Sequence, residues 1–117
     1  MTGNADMHLK NFSLLEQPGL GMILSPAYDL VNTALVNPAD DEELALTLNG
    51  RKKNLKKQDF VAAMNTLKLD EKQQDHIFNK MNKSMPKWQE LIDQSFMSDS
   101  FKESYKALLA DRMVRLR

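Results

Sequence analysis

The residues best suited to chemistry lie at the start of the chain, in the stretch GNADMHLKNFSLL. It contains a carboxylate (Asp6), an imidazole (His8), an ammonium group (Lys10) and an amide (Asn11), and a second carboxylate (Asp29) follows. Carboxylate and amide oxygens are the ligands that Mg²⁺ prefers, and a carboxylate near a hydroxyl group can accept its proton. These residue types indicate a site that handles metal ions, protons or anionic groups.

The order of the polar residues favours phosphoryl transfer. A protein-kinase catalytic loop has an Asp that accepts the substrate hydroxyl proton, an Asn shortly after it that holds a metal ion, and a later Asp that binds Mg²⁺. Asp6, Asn11 and Asp29 follow this order, and Lys10 adds a cation for a phosphoryl group. The spacing alone is unspecific, because Asp and Asn in an ordinary loop also bond to backbone groups.

A β-hairpin must position these residues. Two short apolar runs, 11–16 and 20–24, flank Gln17, Pro18 and Gly19, which are residues typical of a turn. The hairpin therefore separates the first polar cluster from Asp29. A polar connection follows, and the alternating segment 44–50, which ends in Asn-Gly, predicts one more short strand or an extended segment.

Helices are predicted for the rest of the chain. Apolar residues recur at helical spacing in four segments. These are 58–67, a helix from Asp70 or Glu71 to 83, a helix that begins at Pro86, and a last helix capped by Ser98 or Asp99. The predicted fold class is mainly α with a small N-terminal β-hairpin (α+β). A single domain is expected over 1–117, with the polar chemistry in 1–30 and a helical bundle in 58–117.

Composition excludes several classes of partner. The 16 basic and 16 acidic residues balance, so no net charge attracts nucleic acid or an anionic membrane. The basic run 51–57 follows the acidic run 40–43, and its charges are expected to be offset there. There are no cysteines, no apolar stretch of about 18 residues and no signal-peptide pattern. A cytoplasmic protein that does not contact a membrane is expected.

The complete sequence motifs point to one protein family more specifically than the spacing of Asp6, Asn11 and Asp29 does. GNADMHLKNFSLL followed by LSPAYDL resembles the catalytic core of HipA-like serine/threonine kinases, the toxins of bacterial toxin–antitoxin modules. Both the D-x-H-x-K-N-F-S block and the P-x-Y-D-L block are present, with the expected hairpin between them. The resemblance is tight over residues 1–30. It is loose over the helical remainder, which resembles part of the C-terminal helical lobe of a protein-kinase-like fold.

The resemblance assigns roles to individual residues. It implies that Asp6 is the catalytic base acting on a Ser or Thr hydroxyl of a protein substrate, and that Asn11 and Asp29 are metal ligands. ATP and Mg²⁺ are therefore the implied cofactors. The implied nucleotide-binding residues are His8, Leu9, Lys10, Asn11, Tyr28 and Asp29. Ordinary protein kinases have a lysine where this chain has His8.

Other kinase features are missing from the sequence. A glycine-rich loop, a strand lysine and a hinge for adenine are not found, and the G-x-G of 19–21 falls in the hairpin turn. The chain is therefore expected to be a fragment, a truncated gene product or one half of a split kinase, inactive without an N-terminal lobe or upstream chain. The surface facing that lobe should be partly apolar, which favours self-association or capture of a partner.

An alternative hypothesis assigns the chain no catalysis. It could be a remnant or binding module that keeps the fold of the lobe and contacts a partner, such as the helix–turn–helix, DNA-binding antitoxin that the family implies. The presence of Asp6, Asn11 and Asp29 together favours the catalytic hypothesis, because a binding module does not need all three.

Overall fold

The hairpin and the helices follow one another along the chain in the computed structural model, which describes residues 3–117. A single 3-10 turn, Leu9–Asn11, precedes the hairpin strands β1 (Leu14–Gln17) and β2 (Gly21–Leu24). The helices are α1 (Thr33–Val36), α2 (Lys57–Thr66), α3 (Glu71–Gln94) and α4 (Asp99–Val114). The prediction of a mainly helical chain with a small N-terminal hairpin is confirmed.

The hairpin is antiparallel, with Leu14 opposite Leu24 and Leu15 opposite Ile23. Gly19 has φ +81°, a left-handed conformation that glycine adopts without steric cost, and it closes the turn after Pro18. The first strand begins later than predicted because residues 9–11 form the 3-10 turn instead. The hairpin thus carries the chain out from the first polar loop and back to the second.

The strand predicted at 44–50 is wrong. Leu48 and Arg51 exchange both backbone hydrogen bonds, at 2.8 and 2.9 Å, around Asn49 and Gly50. Both central residues have positive φ, +50° and +73°, as a tight two-residue turn requires. The preceding residues do not pair as a strand, because the N–H groups of residues 43 and 44 both donate to the carbonyl of Lys52.

The two helices predicted over 70–83 and from Pro86 are one continuous helix, α3. Pro86 lacks an N–H and usually ends a helix, but here it lies inside one. The helix nevertheless continues through Pro86 to Gln94, and Ile92, beyond the proline, is buried at the groove that it shares with Leu109 of α4. Asp70 caps α3 as predicted, since its carboxylate accepts a hydrogen bond from the N–H of Gln73 at 2.8 Å.

The hydrophobic core lies mainly between the long helices and the end of the chain. Its buried side chains are Leu55, Phe78, Ile92, Leu109, Met113 and Leu116. Helical spacing predicts apolar faces that include five residues found exposed instead: Leu67, Leu91, Phe96, Phe101 and Val114. Phe96 is exposed because α3 ends at Gln94, so the helical period stops before the phenyl ring can point inward. None of the helices within residues 3–117 combines the length and the apolar character needed to cross a membrane.

Ion pairs join the basic run to the acidic run, as the sequence predicted. Lys52 lies 3.0 Å from Glu42, and Lys53 pairs with Asp41. Arg115, just after α4, donates a hydrogen bond from Nη1 to Glu43 Oε1 at 2.6 Å. This contact holds the end of the chain against the loop before α2. These contacts leave the loop between α1 and α2 well anchored although it contains no strand.

Asp59 on α2 is the most deeply buried carboxylate of the described residues, with 1% of its surface exposed. It accepts hydrogen bonds from the N–H of Lys56 and from the Asn49 amide, each at 2.9 Å, and Arg51 lies 3.8 Å away. The backbone hydrogen bond from Lys56 is the main reason why the pKa of Asp59 lies below its ordinary value of 3.8. The ionised form therefore stabilises the junction between the Asn-Gly turn and α2.

We expect Asp59→Asn to flatten the dependence of stability on pH in acid. Because the folded state lowers the pKa of Asp59, its contribution to the free energy of unfolding is present above about pH 4 and is lost as the pH falls through the lower folded value. Urea denaturation between about pH 7 and pH 2 measures this slope. Asp75→Asn, at an exposed position on α3, should keep the wild-type slope. Parallel profiles for wild type and Asp59→Asn would contradict the assignment.

Candidate active site

Asn11 and Asp29, the two predicted metal ligands, are brought together at the open end of the hairpin. Asn11 is 6% exposed, and its Nδ2 donates a hydrogen bond to Asp29 Oδ2. Its Oδ1 accepts a hydrogen bond from the His8 N–H at 2.9 Å. The 3-10 turn therefore fixes the amide plane of Asn11, and the amide in turn holds the Asp29 carboxylate.

A second hydrogen bond joins the same two loops. Tyr28 Oη donates to the backbone carbonyl of Lys10 at 2.9 Å. Ser25 N–H also donates to the Ser13 carbonyl, at 2.8 Å, where the strands open into the loops. The loop before β1 and the loop after β2 are thus joined through both side chains and backbone. The side chains of Lys10 and Leu9 are exposed beside this junction.

The backbone at Asp29 has an uncommon conformation. Its φ is +55°, in the left-handed region, which Asp and Asn tolerate better than most residues with a side chain. Asn4 Nδ2 donates to the Asp29 carbonyl at 3.1 Å and holds this conformation from the opposite side.

Asp6 makes contact with His8 and not with the metal-ligand pair. Asp6 Oδ1 lies 3.0 Å from His8 Nδ1, and both side chains are about half exposed. The His8 N–H also lies 3.0 Å from the Asp6 carbonyl. His8 therefore connects two clusters: its ring faces Asp6, and its backbone N–H donates to Asn11.

A polar cleft of about 360 Å³ opens in front of Asp6 and His8. Its far wall comes from α1 and from the loop that follows, including Thr33, Asp40 and Lys52. The cleft is wide enough for a side chain of another protein to reach the Asp6 carboxylate. Asn11 and Tyr28 line a separate and smaller cavity of about 100 Å³ on the hairpin side.

Sequence reasoning did not predict the residues that position Asp6. Gly3 has φ +88°, and its carbonyl accepts hydrogen bonds from the N–H of Ala34 and from Thr33 Oγ1, each at 3.0 Å. Thr33 Oγ1 also accepts a hydrogen bond from the N–H of Ala5 at 2.8 Å. A Cβ on Gly3 would lie 2.3 Å from Asn32 Oδ1. The only sequence signals for this junction are Gly3, which precedes the D-x-H-x-K-N-F-S motif, and the pair Asn32 and Thr33, which follows the P-x-Y-D-L motif.

Asn11 and Asp29 are the residues that could hold a magnesium ion at the hairpin end. Asn11 Oδ1 accepts a hydrogen bond from the His8 N–H and Asn11 Nδ2 faces Asp29, so the amide oxygen would have one lone pair left for a metal ion, and Asp29 would supply a carboxylate. Between residues 3 and 117, no three His, Cys, Asp or Glu side chains lie close enough to enclose a metal. Mg²⁺ is commonly held by one or two carboxylates together with water and phosphate oxygens, so an ion held by these two residues would need further oxygen ligands.

Comparison with known proteins agrees with the motifs. The family model for the HipA-like C-terminal domain matches residues 1–89, which include the candidate site, α1, α2 and most of α3. No curated protein matches the chain. Because the family match covers well over half of the 117 residues, the chain belongs to the HipA-like C-terminal domain family.

Proposed function

We propose that the chain is the catalytic C-terminal portion of a HipA-like serine/threonine kinase of the bacterial cytoplasm, which transfers phosphate from Mg-ATP to a Ser or Thr hydroxyl of a protein. The observation that carries the proposal is the contact between Asn11 and Asp29. These residues lie in separate sequence blocks, and the hairpin brings them together.

Asn11 and Asp29 would hold Mg²⁺. The bound ion neutralises charge on the nucleotide phosphates. The chain contributes geometry, because Asn11 is held by the His8 N–H and Asp29 by its left-handed backbone. Lys10, exposed beside the pair, places an ammonium group where it can stabilise a transferring phosphoryl group.

Asp6 would accept the proton of the substrate hydroxyl. Its carboxylate is about half exposed at the polar cleft, so a side chain of a protein substrate can reach it. The His8 ring, 3.0 Å away, fixes the direction of that carboxylate.

The exposed hairpin supports a further part of the proposal, that a second lobe completes the nucleotide site. Leu14, Met22 and Leu24 project from one face of the hairpin, Leu15 projects from the other, and all are exposed. A two-stranded hairpin is only marginally stable without packing against other elements. We therefore place the missing nucleotide contacts on a lobe outside these 117 residues, on the same polypeptide or on another.

The exposed hairpin also favours the second candidate function, a binding module that docks a partner such as a helix–turn–helix antitoxin. Apolar side chains on both faces suit a protein interface. Docking does not explain the contact between Asn11 and Asp29, so the catalytic function is the better supported of the two.

Calorimetry with ATP and Mg²⁺ tests the proposal. We expect the chain alone to bind nucleotide with a Kd above about 1 mM, because two metal ligands hold Mg²⁺ weakly without further phosphate contacts. Addition of the N-terminal lobe of a HipA-like kinase should tighten binding at least about tenfold, and removal of Mg²⁺ with EDTA should reverse the gain. A mixture that forms a complex but gains no Mg²⁺-dependent affinity would favour the binding module.

A further inference from the structure

An apolar groove of about 280 Å³ runs between the end of α3 and the facing side of α4. Its apolar and aromatic lining consists of Trp88, Leu91, Ile92, Met97, Tyr105 and Leu109. All but Trp88 lie beyond residue 89, where the family match ends. The groove is therefore separate from the candidate active site and from most of the region that defines the family.

Phe96 projects from the rim of this groove and is fully exposed. Its neighbours Ser95 and Met97 line the groove, whereas the phenyl ring is not part of the lining. Ser95 holds this arrangement, since its hydroxyl donates to the Ile92 carbonyl at 2.6 Å and the helix ends there. The same surface thus presents an apolar cavity and, beside it, an apolar side chain with nothing to cover it.

We propose that a second copy of the chain docks on this face, with Phe96 of each copy inserted into the groove of the other. A surface that carries both a protruding side chain and a groove that can accept it is complementary to a second copy of itself. Such self-complementarity is the condition for a two-fold symmetric interface. The groove is large enough, because a cavity of about 150 Å³ accepts a benzene ring.

The charges around the groove favour a second copy over a strongly charged partner. Asp93 on the α3 side lies 2.5 Å from Lys106 on the α4 side, and the Asp93 carbonyl accepts a hydrogen bond from Lys102 at 3.0 Å. Both signs are therefore present on the two helices that form the groove, and the chain as a whole has no net charge. Two copies can face each other without repulsion between like charges.

The area involved suits a modest dimer. An aromatic side chain buries about 150–250 Å², so two phenyl rings and groove walls of similar area hide roughly 600–1,000 Å². This area is below the range of about 1,200–2,000 Å² for standard specific interfaces, so we expect a weak dimer with a Kd of about 100 μM.

Trp88 provides a direct measurement, because it is the only tryptophan in the sequence and it lines the groove. Sedimentation of the 117-residue chain across a dilution series should show dimers dissociating, and Trp88 emission should move to longer wavelength over the same concentrations. Phe96→Ser should raise the dimer Kd about 100-fold or more, since each dimer loses two central anchors. Leu91→Lys, at an exposed edge of the groove, should have a similar effect.

Leu20→Ser is the matched control, because Leu20 is exposed at the tip of the hairpin, on a different surface. This variant should dimerise as the wild type does. A wild-type chain that stays monomeric up to about 1 mM would overturn the proposal. So would a dimer that survives Phe96→Ser and Leu91→Lys but is lost in Leu20→Ser, which would place the interface on the hairpin.

Discussion

Asp6→Asn is expected to lower phosphotransfer by about 10²–10⁴-fold when the chain is combined with the N-terminal lobe of a HipA-like kinase. Asn has nearly the size of Asp and can still contact the His8 ring, but its amide cannot accept the proton of the substrate hydroxyl. Affinity for Mg-nucleotide should stay close to that of the wild type, because Asp6 does not contact Asn11 or Asp29 through its side chain. Single-turnover kinetics and calorimetry measure the two quantities separately.

Asp75→Asn serves as the control for that experiment, because it makes the same chemical change at an exposed position on α3. It should leave both phosphotransfer and nucleotide affinity unchanged. Full phosphotransfer by Asp6→Asn would contradict the role of Asp6 as the base. A loss of nucleotide affinity as large as the loss of rate would place Asp6 among the residues that hold the metal or the phosphates.

Asp29→Asn should remove most of the Mg²⁺-dependent part of nucleotide binding in the same complex. Asn tolerates the left-handed backbone of Asp29 and keeps the side-chain length, so the change removes the charge with little disturbance of the loop. Loss of one partner of a close charged contact costs about 2–5 kcal/mol, so the affinity should fall about 30-fold or more. Calorimetry with Mg²⁺ and with EDTA checks this expectation.

Nucleotide affinities measured with Mg²⁺ and with EDTA distinguish a metal ligand from a residue that only shapes the loop. Wild type and Asp29→Asn should bind nucleotide equally weakly in EDTA and differ only when Mg²⁺ is present. An equal gain from Mg²⁺ in both proteins would show that Asp29 does not bind the metal. Equal weakening in both conditions would assign Asp29 a purely structural role.

Local sequence patterns predicted the elements that depend on neighbouring residues. The hairpin turn, α2 and the Asp70 cap need only residues a few positions apart, so their signals are visible in the sequence. The prediction of a new helix at Pro86 was wrong because it used only the local tendency of proline, whereas α3 continues to Gln94 and buries Ile92. The segment 44–50 failed because Asn-Gly closed a turn without flanking strands.

The candidate site, too, could be predicted from the sequence only in part. The sequence blocks predicted that Asn11 and Asp29 act together, and the structure places them in contact. The sequence could not predict that Asp6 contacts His8 in a separate cleft, or that Gly3 and Thr33 hold the segment before it. The contact between Gly3 and Thr33 joins distant parts of the chain, and a single sequence contains no periodic signal for such pairings. The Asp6–His8 contact is local, but the cleft in front of it is also lined by α1 and the following loop, which are distant in the sequence.

The continuous helix α3 has a consequence for how a shorter version of this protein would behave. The family match ends at residue 89, inside α3, whereas half of the buried apolar core, Leu109, Met113 and Leu116, lies on or just after α4. Arg115 further ties that end of the chain to Glu43. A protein cut at the family boundary would keep every candidate catalytic residue and lose the interior that supports them. The stretch of sequence shared with relatives and the stretch that must fold together are therefore different lengths.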